Sequence, residues 1–407
     1  MGPLAGVRIV DLSRVLAGPW ATQILADLGA DVIKVEHPQG GDETRAWGPP
    51  YLKDRDGADT SESAYFLSTN RGKRSVALDF ATPDGQRLVR ELAMQSDALV
   101  ENLKVGGMKK YGLAFDDLAP LHSRLIYCSV SGFGQAGPDA TRAGYDAMIQ
   151  GMGGLMSITG LPDGEPGGGP QKVGVAVADL MAGMYAVCAI VAALYEREKT
   201  GAGQHIDLAL LDTQVASLAN QALGYLVSGE APRRRGTAHP NIVPYQAFAT
   251  ADGQLMLAIG NDRQFAAFCE LAGRKEVAAD PRFATNAARV EHRNELVQRV
   301  TELLKTRTTR QWLELLATAS IPCGPINDIA QVFAEPQVKY RQLHLTLPHP
   351  SAGSTPGVRN PIRYSRTPIE YLRAPPLLGQ HTDEVLSERL GLDAAEIDSL
   401  RRRRVVA

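Results

Sequence analysis

Cysteine is scarce in this chain. There are four among 407 residues, Cys128, Cys188, Cys269 and Cys323, none in a C-x-x-C pair. This excludes a disulfide framework and predicts free thiols in a reducing, cytoplasmic setting. A charge imbalance is also lacking: the formal net charge is −2, which leaves no electrostatic footprint for nucleic acid. The basic runs Arg401–Arg404 and Arg233–Arg235 read as solvated faces. No long apolar run is free of charge. The longest, 173–195, carries Asp179, which at mid-bilayer would cost about 2.5–3.5 kcal/mol, so no membrane association is expected. The N-terminus has no apolar segment of signal-peptide type. Familiar catalytic motifs are missing as well. The first strand–helix turn reads SRVLAGPW rather than G-x-G-x-x-G, and there is no P-loop, no H-E-x-x-H and no G-x-S-x-G. Nicotinamide dehydrogenases, nucleotide hydrolases, zinc peptidases and serine hydrolases are thereby disfavoured. His344 and His349 are too isolated to make a metal site, and none is expected.

What is present is the composition of a globular protein, 44% hydrophobic and 22% charged, long enough for two domains. VRIVDL, AGPWATQILADLGA and DVIKVE (7–36) read as strand, helix and strand, a βαβ unit. The pattern recurs with strands at 75–80, 98–102, 125–134 and 205–211, a helix opened by Thr82-Pro83-Asp84-Gly85 and another over 180–198. This predicts an α/β, Rossmann-like, mainly parallel sheet. The texture changes near 225. YQAFATADGQLMLAIG (245–260) reads as a hairpin, and amphipathic helices follow at about 263–272, 289–306 and 309–319. Past 330 the chain turns Pro-rich and closes with helical patterns. The expected division is 1–224 for a large domain, 225–330 for a small α+β domain, and 331–407 for a return segment.

Asp179 stands out, a single carboxylate in KVGVAVADLMAGMYAV (172–187). An unpaired buried carboxylate is costly. On the residues alone two roles stay open: an N-cap for the helix that follows, or a group kept for chemistry. The Gly-rich stretches 151–154 and 167–169 are either plain loops or a cover that lends backbone N–H groups to an oxyanion.

Six stretches in register carry a resemblance across nearly the whole chain. They are LSRVLAGPWATQILADLGADVIKVEHPQGGDETRAWGPP, NRGKRSVALD, VENLKVGGMKKYGL, GYDAMIQGMGGLMSITG, GVAVADLMAGMYA and APPLLGQHT. Together they resemble the class III, formyl-CoA transferase-like CoA-transferases. RRGTAHPNIVPYQAFATADG is similar to the branch that moves coenzyme A from succinyl-CoA to dicarboxylic acids such as glutarate. The resemblance implies an interlocked homodimer. In it the N-terminal half and the C-terminal segment build one Rossmann-like domain, and the small domain is inserted between them. It implies acyl-CoA and carboxylic acid substrates, with no cofactor beyond coenzyme A. It makes Asp179 the catalytic nucleophile, held ionised by the helix N-terminus. It places Arg14, Val15, Leu16, Ala17, His37, Arg74, Leu78, Asn102, Leu103, Lys110 and Tyr145 at coenzyme A, with Lys73 a further phosphate candidate. Arg45, Arg235 and His239 are the candidates for the second carboxylate of a diacid. Racemases of the same fold carry His beside Asp where this chain has Tyr145-Asp146, which disfavours α-proton exchange. The alternatives are such a racemase and a coenzyme A-binding protein without turnover.

Overall fold

A computed structural model describes residues 2–407. Short β-rich apolar runs become strands β1 (Arg8–Asp11), β2 (Asp31–Glu36), β3 (Arg74–Ala77), β4 (Ala98–Glu101), β5 (Ile126–Ser131) and β6 (His205–Ala209). They form one six-stranded sheet in the order β3-β2-β1-β4-β5-β6. Every pairing in it is parallel. Alternate residues face opposite sides, so one strand feeds two cores. Ile9, Val32, Ala98, Val100, Ile126 and Cys128 pack on helices α1 (Ala17–Asp27) and α3 (Val177–Thr200). Val10, Ile33, Val35, Val76, Leu99 and Tyr127 pack beneath Leu88, Val89, Leu92, Val385, Leu386, Ile397 and Leu400. Burial on both faces explains why these strands read as continuous apolar runs. Thr82 caps its helix as expected, its hydroxyl accepting the Gly85 N–H.

The helix α3 is long and apolar enough to cross a membrane, yet much of it is buried in the fold, with Ala182, Ala186 and Ile190 fully covered. It is a core helix of the sheet.

The chain divides into two compact units. The first holds residues 1–155, 173–228 and 337–407, and the second holds 156–172 and 229–336. The segment 156–172, which the sequence reading left in the large domain, thus groups with the second unit. That unit is built on an antiparallel sheet of β7 (Tyr245–Ala249), β8 (Gln254–Ala258) and β9 (Cys323–Pro325). Helices pack Phe265, Phe268, Leu296, Val300 and Trp312 against Phe248, Leu255 and Leu257. The single helix expected over 289–306 is instead two, Asn286–Glu291 and Arg293–Leu304, which meet at His292. Arg289, near the end of the first of these, has its guanidinium buried, donating to the carbonyls of Val243 (2.7 Å) and Phe283 (3.0 Å).

Candidate active site

The strand order reverses between β1 and β4, and the turn Ser13–Ala17 sits at their carboxyl ends, where open α/β sheets form ligand crevices. Asn102, just past β4, braces this turn twice. It accepts the Arg14 N–H at 2.9 Å and donates from Nδ2 to the Arg14 carbonyl at 2.7 Å. Val15 holds a left-handed φ of 70°, a costly conformation for a β-branched residue, of about 1–3 kcal/mol. Its N–H points at both carboxylate oxygens of Asp42, each at 3.3 Å. Asp42 is itself locked to the buried Lys34 ammonium at 2.9 Å, and the same ammonium donates to the Ser13 carbonyl at 2.8 Å. Burial works against the Asp42 charge, but Lys34 and the Thr44 N–H outweigh it and hold the carboxyl down to about 2. A buried ion pair therefore fixes a strained turn.

Asp179 is the third residue of α3 and half-buried. It is not the N-cap. The Ala178 N–H is capped from a distance by Asp146 Oδ1 at 2.9 Å, at the start of α2 (Asp146–Met152). The Asp179 carboxylate has no hydrogen-bond donor among the described residues and is not sealed from solvent. Burial, and then the Asp146 charge, push its pKa up to about 7. This corrects the expectation that the helix N-terminus keeps it firmly ionised. The Ala178 amide in the first turn is engaged by Asp146, whose like charge then opposes ionisation.

The helix that carries Asp179 and the Ser13–Ala17 turn come together at Gly183, one turn further along α3. A Cβ there would lie 2.8 Å from the Ala17 carbonyl oxygen, so only glycine lets α1 begin against this helix. Tyr65 joins the same place. Burial, then Asp179, Asp146 and Asp42, push its hydroxyl up to about 12, so it stays a donor at neutral pH. The Trp47 ring packs edge-on to it at 5.1 Å. Neither aromatic was singled out from sequence, nor was Asp42. The only available signal was that all three fall within or beside the quoted 12–50 and 70–79 stretches.

Of the other expected residues, Leu16 and Ala17 are buried at the head of α1, while Arg14 reaches Glu43 at 2.7 Å. Tyr145 precedes α2 at its N-terminus and is 67% exposed. Leu103 is half-buried. Lys110 is exposed, its ammonium over the Tyr111 ring, and exposed His37 lies 4.0 Å from Asp79.

Four of the expected residues are engaged within the fold. Arg74, the first residue of β3, is buried among Asp31, Glu384 and Glu388, towards the amino ends of the strands rather than the carboxyl end of the sheet. Lys73 is fully buried on Asp11 (3.0 Å), the Pro19 carbonyl and Asn70, and burial lowers it to about 8. Leu78 is fully buried, its backbone bridged to Val406. Arg45 is buried with its guanidinium engaged by Glu36, Glu62 and the Pro376 carbonyl, which leaves nothing for a substrate carboxylate. Arg235 and His239 lie in the second unit, as do residues 167–169, whereas 151–154 stay in the first.

Two cavities lie away from Asp179. One of about 370 Å³ is lined by Asp31, Arg71, Arg74, Tyr371 and Glu388, and one of about 570 Å³ in the second unit by Phe265, Phe268, Cys269 and Arg299.

The chain is similar to known proteins over nearly its whole length. The model of CoA-transferase family III matches residues 4–382. A succinate–glutarate CoA-transferase of Agrobacterium fabrum is 53% identical over 387 residues, covering 95% of each chain. A succinyl-CoA:glutarate CoA-transferase of Mus musculus is 46% identical, covering 98% of this chain and 89% of its own. Among solved structures, a CAIB/BAIF family protein from Brucella suis superposes with a TM-score of 0.83 at 49% identity, covering 95% of this chain and 99% of that one.

Proposed function

The chain belongs to CoA-transferase family III, and from that premise we propose that it transfers coenzyme A from succinyl-CoA to a dicarboxylic acid such as glutarate, with Asp179 as the covalent carrier. The observation that carries the reading is the Asp179 carboxylate, half-buried, without a donor, raised to about 7, beside the braced turn at the sheet's switch point. An environment that disfavours COO⁻ relative to COOH also disfavours it relative to an uncharged anhydride or thioester. Acylation of Asp179 thus relieves both its burial and its repulsion from Asp146.

The exchange balances without ATP, metal or further cofactor. An Asp179 oxygen attacks the succinyl-CoA carbonyl, the C–S bond breaks, and the thiolate leaves behind an aspartyl–succinyl anhydride. The thiolate attacks Cγ of Asp179, giving the aspartyl-CoA thioester and releasing succinate. The acceptor carboxylate attacks that thioester, and the freed thiolate then attacks the acceptor's carbonyl, returning Asp179 as the carboxylate. The Tyr65 hydroxyl, held protonated, supplies a donor for the oxyanions formed on the way. Asn102 and the strained Val15 turn fix the coenzyme-side backbone with Arg14, Leu16 and Ala17.

Anhydrides hydrolyse, so water has to be kept out. A homodimer supplies that cover in this proposal. Its support is the exposed apolar stripe Met184, Tyr185, Val191 and Tyr195 on α3, the helix that carries Asp179, and Leu223, Leu226 and Val227 beyond it. Mass spectrometry of the protein with succinyl-CoA and glutarate should show glutaryl-CoA and free succinate. Asp179→Ala should bind coenzyme A yet transfer none, and near-normal turnover by that variant excludes the covalent route.

A further inference from the structure

Gln150 is an amide side chain with no exposed surface, one turn along α2 from Asp146. A buried amide is costly unless its polar atoms are paired, and here they are. Its Nε2 donates to Asp146 Oδ2 at 2.8 Å and to the Val175 carbonyl at 3.4 Å, while its Oε1 accepts the Val173 N–H at 2.8 Å. These partners fix the orientation of the amide, because a carboxylate and a carbonyl can only accept and an N–H can only donate. They also fix the residue type. One end must donate and the other accept, which neither an apolar side chain nor an ionised carboxylate does.

Both sets of contacts lead to the same place. Residues 173–176 run directly into α3, so the Val173 and Val175 bonds hold the entry to the helix that carries Asp179. Asp146 holds the first turn of that helix, since its other oxygen, Oδ1, accepts the Ala178 N–H at 2.9 Å. Ala176, at the N-cap, has no side chain that could do this. Among the described residues no donor reaches the Asp179 carboxylate, so its place is set by the backbone of that turn.

The two neighbouring carboxylates are thus unlike. Both oxygens of Asp146 are taken by N–H groups, and those of Asp179 are open. The other ionisable groups around them add no buried charge. The helices α3 and Leu210–Ser217 pack on α2; the first brings Asp179 and the second Asp212, which is exposed. Lys172, just before the bonded segment, is exposed, and Tyr65 keeps its proton.

We infer that Gln150 is a positioning residue for acyl transfer: it locks Asp146 onto the first turn of α3 and leaves Asp179 as the open carboxylate, held where it can attack. The inference rests on the transfer reading and deepens it. Gln150 itself touches no substrate and acts through Asp146 and the chain that enters α3, and attack is sensitive to small displacements of the nucleophile.

Two variants test this, each read for kcat and KM with succinyl-CoA and glutarate at a temperature where circular dichroism shows it folded like the parent. Gln150→Leu removes every bond. Its kcat should fall about tenfold to a hundredfold, the effect of losing a bond to a charged group. Its KM for succinyl-CoA should stay within about twofold of the parent's, because the Ser13–Ala17 turn is untouched. Gln150→Glu keeps the shape and an oxygen for the Val173 N–H, but the introduced carboxyl can donate to Asp146 only while protonated. Burial and the Asp146 carboxylate both oppose its ionisation. Divided by the parent's kcat at the same pH, the kcat of Gln150→Glu should be close to the parent's at about pH 5.5 and fall about tenfold or more by about pH 8.5. A purely structural role gives a ratio that does not change with pH. Either variant decides alone if the other does not fold. A flat ratio for Gln150→Glu, a parental kcat for Gln150→Leu, or a KM that worsens in step with kcat refutes the positioning role while transfer stands. If the unaltered enzyme forms no glutaryl-CoA from succinyl-CoA, the transfer reading itself falls.

Discussion

Replacing Asp179 with Asn keeps the shape of the side chain and removes its charge, so it separates what the carboxylate does for chemistry from what it costs the fold. In the unfolded chain this carboxyl titrates near 3.8, and in the folded protein burial and Asp146 move it to about 7. At ~1.4 kcal/mol per pH unit, that difference is about 4 kcal/mol. The direction follows from the raised value. Below pH 3.8 the group is protonated in both states and the folded state has its full advantage. That advantage is lost as pH rises towards 7, and above 7 the folded protein holds an ionised, desolvated carboxylate. Relative to the Asp179→Asn variant, the parent should therefore be weaker by about 2 kcal/mol at pH 5 and about 4 kcal/mol at pH 8. The second figure is a ceiling, because Asp179 keeps some contact with water. Urea unfolding of Asp179→Asn and the parent, at both pH values and one protein concentration, measures the two differences. The variant should be inactive yet more stable, with its advantage about 2 kcal/mol larger at pH 8 than at pH 5. An advantage that is absent, or equal at the two pH values, refutes the claim that the site stores an unfavourable charge for acyl transfer.

Two further outcomes follow from the same geometry. In the parent, kcat/KM for succinyl-CoA should rise about tenfold per pH unit up to a limb near 7. Asp146→Asn, which can still accept the Ala178 N–H through its amide oxygen, should move that limb to lower pH by removing the like charge; an unmoved limb in a pH–rate profile assigns the raised value to burial alone. Asp42→Asn should loosen the Val15 turn and raise KM for acyl-CoA about tenfold, the size of ~1.4 kcal/mol of released strain, with kcat changed less. Adding Val15→Gly, which adopts a positive φ without strain, should restore KM; steady-state kinetics of the double variant that stay as poor as those of Asp42→Asn remove the clamp from the account.

Local pattern was enough for the framework. Alternating apolar runs and turn residues placed the six parallel strands, the Thr82 cap and the hairpin at Asp252-Gly253, because those choices are made within a few residues. Asp179 was also legible, as a charge in an apolar run. Its protonation was not, because the group that opposes its ionisation, Asp146, comes from another helix earlier in the chain and takes the amide that a local cap would have used. Arg45 and Arg74 show the limit most clearly. In sequence both are free cations suited to a ligand. In the fold, Arg45 is surrounded by Glu36 and Glu62, and Arg74 by Asp31, Glu384 and Glu388.

The sequence by itself therefore determined the sheet and the family and singled out Asp179 as the candidate nucleophile, since each is written in contiguous residues. Only the tertiary structure decided which cations remain unpaired for a substrate and how strongly the carboxylate resists its charge, because electrostatic partners are chosen by distance in space and by the water that packing removes.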